Sequence, residues 1–296
     1  MTGPTAAGGG QELETRSRRR SWWLIAPVLV FNLAAFALPL TVFGLGSVRP
    51  YGGPAEFDSG LTTQNWEALI TDPQLRTLFV ESLALVVAIV IFTAAVGFPI
   101  SYVIARSARW GTVLLFGVIA SSFLSAVVQT LGWLMLLGGE GPINVALRGA
   151  GLSADGLDLL QTRAAVIAAM IHVELHYMVL VCTPAIMSIP RELEDAAAGL
   201  GASWSKVMRR VVVPLSWPGI VAGSLLVMAT AAGSFTTPAI LGGGLVPWIP
   251  VYIYNQMQTA LNYPAAATAS VALVLIIGLA SVAATLATRR LVARSR

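Results

Sequence analysis

The sequence predicts an all-α, polytopic membrane protein with six transmembrane helices, and three observations lead there. Of 296 residues, 56% are hydrophobic and 11% charged, against about 25% charged in an average soluble domain. The apolar residues gather in six stretches, each long enough to cross a hydrocarbon core of about 30 Å as a helix of about 20 residues. The basic residues collect beside alternate stretches, the pattern expected of a multi-pass chain. A net charge of +4 placed next to apolar spans suits a membrane surface and not nucleic acid. The single cysteine, Cys182, lies in an apolar run and excludes a disulfide framework within one chain.

Span one, residues 24 to 46, follows Arg16, Arg18, Arg19 and Arg20. Its apolar run exceeds the about 7 to 15 residues of a secretory signal, so a retained helix is expected. Residues 47 to 79 form a long polar segment with Pro50, Gly52, Gly53 and Pro54, then a short surface helix around Asn65 to Ile70. Spans two to six follow at 80 to 104, 112 to 137, 164 to 188, 217 to 241 and 266 to 288. Residues 242 to 265 carry no charge but hold Trp248, Tyr252, Tyr254, Tyr263 and three prolines. They read either as an interfacial segment over a pore or as a plain aromatic belt. Placing the N-terminus in the cytoplasm puts 14 of the 18 basic residues on that side. Both termini are therefore expected there. The organisation is a basic tail at 1–22, a transmembrane domain at 23–290 with a cytoplasmic loop at 190–216, and a short tail at 291–296.

The loop between spans four and five carries the most specific pattern. Pro190 suits a first helical turn, and Glu192, Glu194 and Asp195 favour the positive end of a helix dipole. Ala196, Ala197 and Ala198 give a smooth surface, and Gly199 or Gly201 can end the helix in the left-handed conformation. Ser203 is placed to cap a second helix, with Lys206, Arg209 and Arg210 toward its end, before Pro214 stops it. A rigid helix-turn-helix is predicted. Asp195, Ala196, Ala197, Gly201, Val211, Val213 and Pro214 fall at the spacings of Glu-Ala-Ala, three residues, Gly, nine residues, Ile-x-Leu-Pro. The stretch resembles the signature loop of binding-protein-dependent ABC importer permeases, with Asp for Glu and Val for Ile and Leu. In that family the loop docks into a cytoplasmic ATP-binding subunit, which implies a coupling role here for Glu194, Asp195, Ala196, Ala197, Gly201, Ala202, Val211, Val213 and Pro214. The resemblance also implies a second permease subunit, either a homologous heterodimer partner or a second copy, and an extracytoplasmic solute-binding protein, all in the cell inner membrane or beside it. No G-x-x-x-x-G-K-[ST] occurs, so ATP hydrolysis is expected of the separate subunit. No enzymatic activity and no cofactor are expected of this chain. On this reading, closure of the ATPase on the loop moves spans four and five as a lever. A secondary transporter, the rival reading, is expected to carry inverted repeats, and no convincing repeat is visible.

Gly233-Ser-Phe-Thr-Thr-Pro-Ala-Ile-Leu-Gly-Gly-Gly244 followed by Asn262-Tyr-Pro-Ala resembles the spermidine/putrescine-type permeases more than the sugar or amino-acid types. That group usually has an acidic residue where this chain has Ser234. A polyamine is the first expectation, with iron, thiamine, opine, phosphonate and sulfate permeases as alternatives.

Span four holds His172, Glu174 and His176. The two histidines share a helix face while Glu174 points about 200° away, so one ion cannot readily take all three and no metal site is expected. Glu174 either lines the pathway or bonds a neighbouring helix, and His176 and His172 either join it or make helix contacts. Glu81 reads as a solvated helix end. Ser234, Phe235, Thr236 and Thr237 interrupt a helix with hydroxyls, which suits either pathway lining or a plain kink.

Overall fold

A computed structural model describes residues 9–151 and 157–294. Of the two expected tails, residues 1–8, 295 and 296 lie outside the described residues. Helix α1 (Gly9–Gly46) contains the first span, Ala26–Gly46. Most of its apolar side chains, Phe31 and Phe36 among them, are exposed along its membrane length, and it rests on the last helix, α13 (Tyr263–Arg294). In a bilayer such a face meets lipid. A two-stranded antiparallel hairpin follows, β1 (Tyr51–Gly53) and β2 (Glu56–Phe57), with Tyr51 opposite Phe57. The surface helix expected near Asn65 is α2 (Gln64–Thr71).

Helix α3 (Pro73–Arg106) begins seven residues before the expected span because Asp72 accepts a hydrogen bond from the Gln74 N–H at 2.8 Å and Pro73 fills the first helical position. Its 34 residues reach about 51 Å, well past the about 30 Å of a hydrocarbon core, so it projects from the bilayer.

The third span is not the single helix expected over 112 to 137. It divides into α4 (Trp110–Ser122) and α5 (Ala126–Leu137), the latter continuing into α6 (Pro142–Gly149), and the chain turns through 101° at the break. Ser125 caps α5 by accepting from the Val127 N–H at 3.3 Å. The Gln129 Nε2 donates to the Ser121 and Leu124 carbonyls at 3.2 and 3.0 Å, adding to the Leu124 N–H that Ser121 O already accepts at 3.1 Å and satisfying the Leu124 carbonyl at the break. Among the described residues five helices are thus long and apolar enough to cross a membrane, and six if the bent pair counts as one span.

Helix α7 (Arg163–Met187) matches the fourth span, capped where Thr162 accepts from the Ala165 N–H at 3.2 Å. Beyond Pro190 come α8 (Arg191–Gly199), α9 (Trp204–Val207), a π-helical turn (Met208–Val212) and α10 (Val213–Gly233). Pro214 was expected to stop the second loop helix, yet Trp204–Gly233 is one continuous helical span. The reason is the π turn just before it, which widens the helix where the proline ring would strike the preceding carbonyls. The Ser216 hydroxyl returns to the Val212 carbonyl at 2.7 Å. The fifth span accordingly starts before residue 217 and ends at Gly233, and the stretch to 241 is a separate short helix, α11 (Thr236–Gly242). Helix α12 (Ile249–Gln258) precedes α13.

The core lies where α7 packs between α3 and α10, with Val86, Ile89, Val166, Met170, Met178 and Val227 buried. Close approach depends on missing side chains: a Cβ on Gly219 of α10 would fall 2.2 Å from the Ala185 Cβ of α7. The aromatic segment is not a simple belt. Trp248 is 1% exposed and its Nε1–H donates to the Ser234 carbonyl at 2.6 Å, pinning the α10–α11 break.

Candidate functional site

Two places concentrate polar chemistry, a helical hairpin at one end of the bundle and a cleft at membrane depth. In the hairpin, α8 ends in a Schellman motif. The Gly201 N–H donates to Ala198 O at 2.9 Å and the Ala202 N–H to Ala197 O at 3.1 Å, with Gly201 at φ +81°. That settles the choice between the two glycines: Gly201 takes the left-handed position. Ser203 holds the capping position of α9 with an extended backbone, but its side chain makes no capping bond. Asp195, Ala196, Gly201 and Pro214 are exposed, while Ala197, Ala202 and Val211 pack against Ile186, Ile189, Val207 and Val212. Val213 is half-buried. Glu194 turns the other way and bonds Arg106 and Tyr102 of α3. Leu200, 90% exposed at the turn, and Trp204, 67% exposed, escaped the sequence reading. The signal was present, since two large apolar residues flanking a left-handed turn gain nothing in water.

The cleft, of about 450 Å³, is walled by the α4–α5 break, the middle of α7 and the end of α10. Ser122, Gln129, Glu174, His176, Tyr177, Thr230 and Ser234 are its polar lining residues. Glu174 is 3% exposed and accepts a hydrogen bond from the Thr230 hydroxyl. Gln129 spends its amide nitrogen on the break, and its Oε1 is buried with no hydrogen-bond partner among the described residues. His176 stacks its ring on Tyr177 at 3.9 Å, and His172 Nδ1 accepts from the Trp133 Nε1–H of α5 at 3.2 Å. Of the predicted pathway residues, Glu174, His176 and Ser234 come together here. Phe235, Thr236 and Thr237 are not among the lining residues. Thr237 is fully buried and its hydroxyl meets that of Thr130 at 2.8 Å, tying α11 to α5, while Phe235 stacks on Tyr254 with ring centres 4.7 Å apart. Gln129 was missed, although it is the one side-chain amide in the apolar run 112 to 137.

Residues 97–296 match the family model described as binding-protein-dependent transport system inner membrane component. The chain belongs to this family. It is an ABC importer permease, a multi-pass inner-membrane protein and not an enzyme. Over 258 residues, 87% of each chain, this permease is 28% identical to the spermidine/putrescine transport system permease protein PotB of Haemophilus influenzae. It is 32% identical over 196 residues to the molybdenum transport system permease protein ModB of Mycobacterium bovis, covering 65% of this chain and 72% of that one. A bacterial alginate ABC transporter, crystallised with an alginate pentasaccharide-bound periplasmic protein, superposes with a TM-score of 0.73 at 19% identity, covering 93% of this chain and 97% of that one. The inward-facing MetNI methionine ABC transporter does so at 0.54 and 20%, covering 74% and 98%. These likenesses establish the fold of the permease.

Proposed function

We propose that this permease carries a polyamine-class cation, spermidine or putrescine first, inward across the membrane. A separate ATP-binding subunit docks on the α8–α9 hairpin and drives the movement. A homologous second permease subunit completes the pathway, and an extracytoplasmic solute-binding protein delivers the cation. Both termini then share the cytoplasmic side with the hairpin. The domains follow as a tail at 1–22, the permease domain at 23–290 with its coupling loop at 190–216, and a tail at 291–296.

The observation that carries the solute reading is Glu174, a carboxylate buried beside the Thr230 hydroxyl in the polar cleft that Gln129 also lines. An ionisable group held at membrane depth is costly and marks an ion or substrate path. Its charge attracts a cation and repels an oxyanion, which favours the solute named for PotB over the one named for ModB. The deciding experiment reconstitutes the permease with its partners in proteoliposomes and follows labelled spermidine with and without ATP. ATP-dependent import that falls at least about tenfold in Glu174→Gln is expected, the loss of one charge-assisted hydrogen bond. Import of molybdate, sulfate, iron or thiamine without spermidine would overturn the solute, and import without ATP would return the secondary-transporter reading.

A further inference from the structure

Of the hairpin's three carboxylates, Glu192 and Asp195 are exposed and Glu194 is turned into the bundle. Its Oε1 accepts from Arg106 Nε at 2.8 Å and lies 2.6 Å from Arg106 Nη2, while its Oε2 accepts from the Tyr102 hydroxyl at 2.8 Å. The Arg106 and Glu194 side chains are 12% and 13% exposed. Two arginines then cross over. Arg106 Nη2 also donates to the Ile189 carbonyl at 3.0 Å, just past the end of α7, and Arg191 Nη2 donates to the Arg106 carbonyl at 3.0 Å, at the end of α3. Each guanidinium thus sits where a helix dipole presents its negative end. The edge of Trp204 meets the Tyr102 ring with centres 6.5 Å apart.

The hairpin is continuous in chain with α7 and α10, but it reaches α3 only through space. Tyr102 and Arg106 lie one turn apart on α3, and the far end of that helix is tied to α7 again where Glu81 and Arg163 pair at 2.6 Å. The buried floor of Ile186, Ile189, Val207 and Val212 already holds the hairpin in place. An enclosed ion pair adds little net stability beside such packing, because desolvation consumes most of its attraction. What it adds is direction and register.

The geometry points to the Arg106–Tyr102–Glu194 clasp as a coupling pin that makes α3 a third moving helix, so that displacement of the hairpin by the ATPase reaches the far end of the bundle through α3 as well as through α7 and α10. This rests on the importer reading with an ATPase seated on the hairpin. Glu194 is then a positioning residue. The docking face, Asp195, Ala196 and Leu200, is left free for the partner.

The test uses the complete transporter in proteoliposomes, comparing native protein with Glu194→Gln, Arg106→Gln and the exchange Arg106→Glu/Glu194→Arg. Wild-type copurification of the ATPase and near-native ATP hydrolysis are expected, with spermidine imported per ATP falling about tenfold, within the usual range of coupling between sites. The exchange recovers a large part of that ratio, which a merely destabilised protein would not do. A native import-to-ATP ratio in Glu194→Gln overturns the pin, as does an exchange no better than the single variants. Loss of the ATPase from the single variants overturns it too, because the clasp would then serve docking. Should native protein import no spermidine, the solute reading fails alone. The pin is then judged by nitroxide labels at Gln74→Cys and Thr259→Cys, both exposed, with Cys182 buried and unreactive. An ATP-driven change in their spacing that survives Arg106→Gln overturns the pin, and its loss supports it.

Discussion

Replacing Gly201 by alanine isolates the conformational requirement of the turn between α8 and α9, the proposed docking site of the ATPase. A Cβ at this position meets nothing within 4 Å, so crowding contributes no penalty. The whole cost arises from φ +81°, a left-handed backbone that costs an L-residue with a side chain about 1 to 2 kcal/mol. About 1 kcal/mol corresponds to a fivefold change in an equilibrium. Gly201→Ala is therefore expected to weaken binding of the ATPase subunit by about five- to thirtyfold and to speed exchange of the Ala202 amide, the donor to Ala197 O, by a similar factor. Gly201→Asn is expected to cost less, because asparagine tolerates this conformation. The control is Gly199→Ala, two residues earlier inside α8, where a Cβ also meets nothing within 4 Å. Alanine is the better helix former, so that variant is expected to bind at least as well as native protein. The measurements are a binding titration in nanodiscs and hydrogen exchange across 191–214. Native affinity and exchange in Gly201→Ala, or an equal loss in Gly199→Ala, would refute the reasoning.

Gln129→Leu leaves the Leu124 carbonyl of the broken span without its donor, while the Ser121 carbonyl keeps the Leu124 N–H. A loss of about 1 kcal/mol is expected, read as a lower unfolding midpoint in detergent. Thr230→Val removes the hydroxyl that donates to Glu174 and is expected to raise the KM for spermidine by less than Glu174→Gln does, as transport assays at graded concentrations will show. Gly219→Ala drives a methyl to within 2.2 Å of the Ala185 Cβ, so α7 and α10 must part at a cost of about 1 to 3 kcal/mol. Adding Ala185→Gly is expected to restore most of the midpoint, since it removes the opposing methyl.

The apolar spans and the hairpin were both legible, for local reasons. Burying an apolar side chain in a bilayer is favourable residue by residue, so runs such as 164 to 188 identify themselves. The end of α8 is likewise encoded in three alanines and a nearby glycine, whatever surrounds them. The break in the third span was not legible. No glycine or proline lies between residues 118 and 131, and the kink is held by the Gln129 side chain reaching back to carbonyls of the preceding turn. Pro214 misled in the opposite direction, because the π turn that absorbs it depends on how the chain is held on the buried floor of the hairpin.

The polar residues draw the line most sharply. The sequence alone determined an importer permease of several membrane spans with a cytoplasmic-type helical hairpin at 191–214, since membrane insertion and helix capping depend on each residue and its near neighbours. It presented Glu194 and Asp195 as two adjacent acids, and Ser234, Phe235, Thr236 and Thr237 as one polar stretch. Only the tertiary structure turned Glu194 onto α3 and left Asp195 exposed, brought Ser234 to the cleft and buried Thr237 against Thr130. The physical reason is that a buried polar atom must find its hydrogen-bond partner, and here the partner stands on a helix distant in sequence, from 56 residues away for Thr230 and Glu174 to 107 for Thr130 and Thr237.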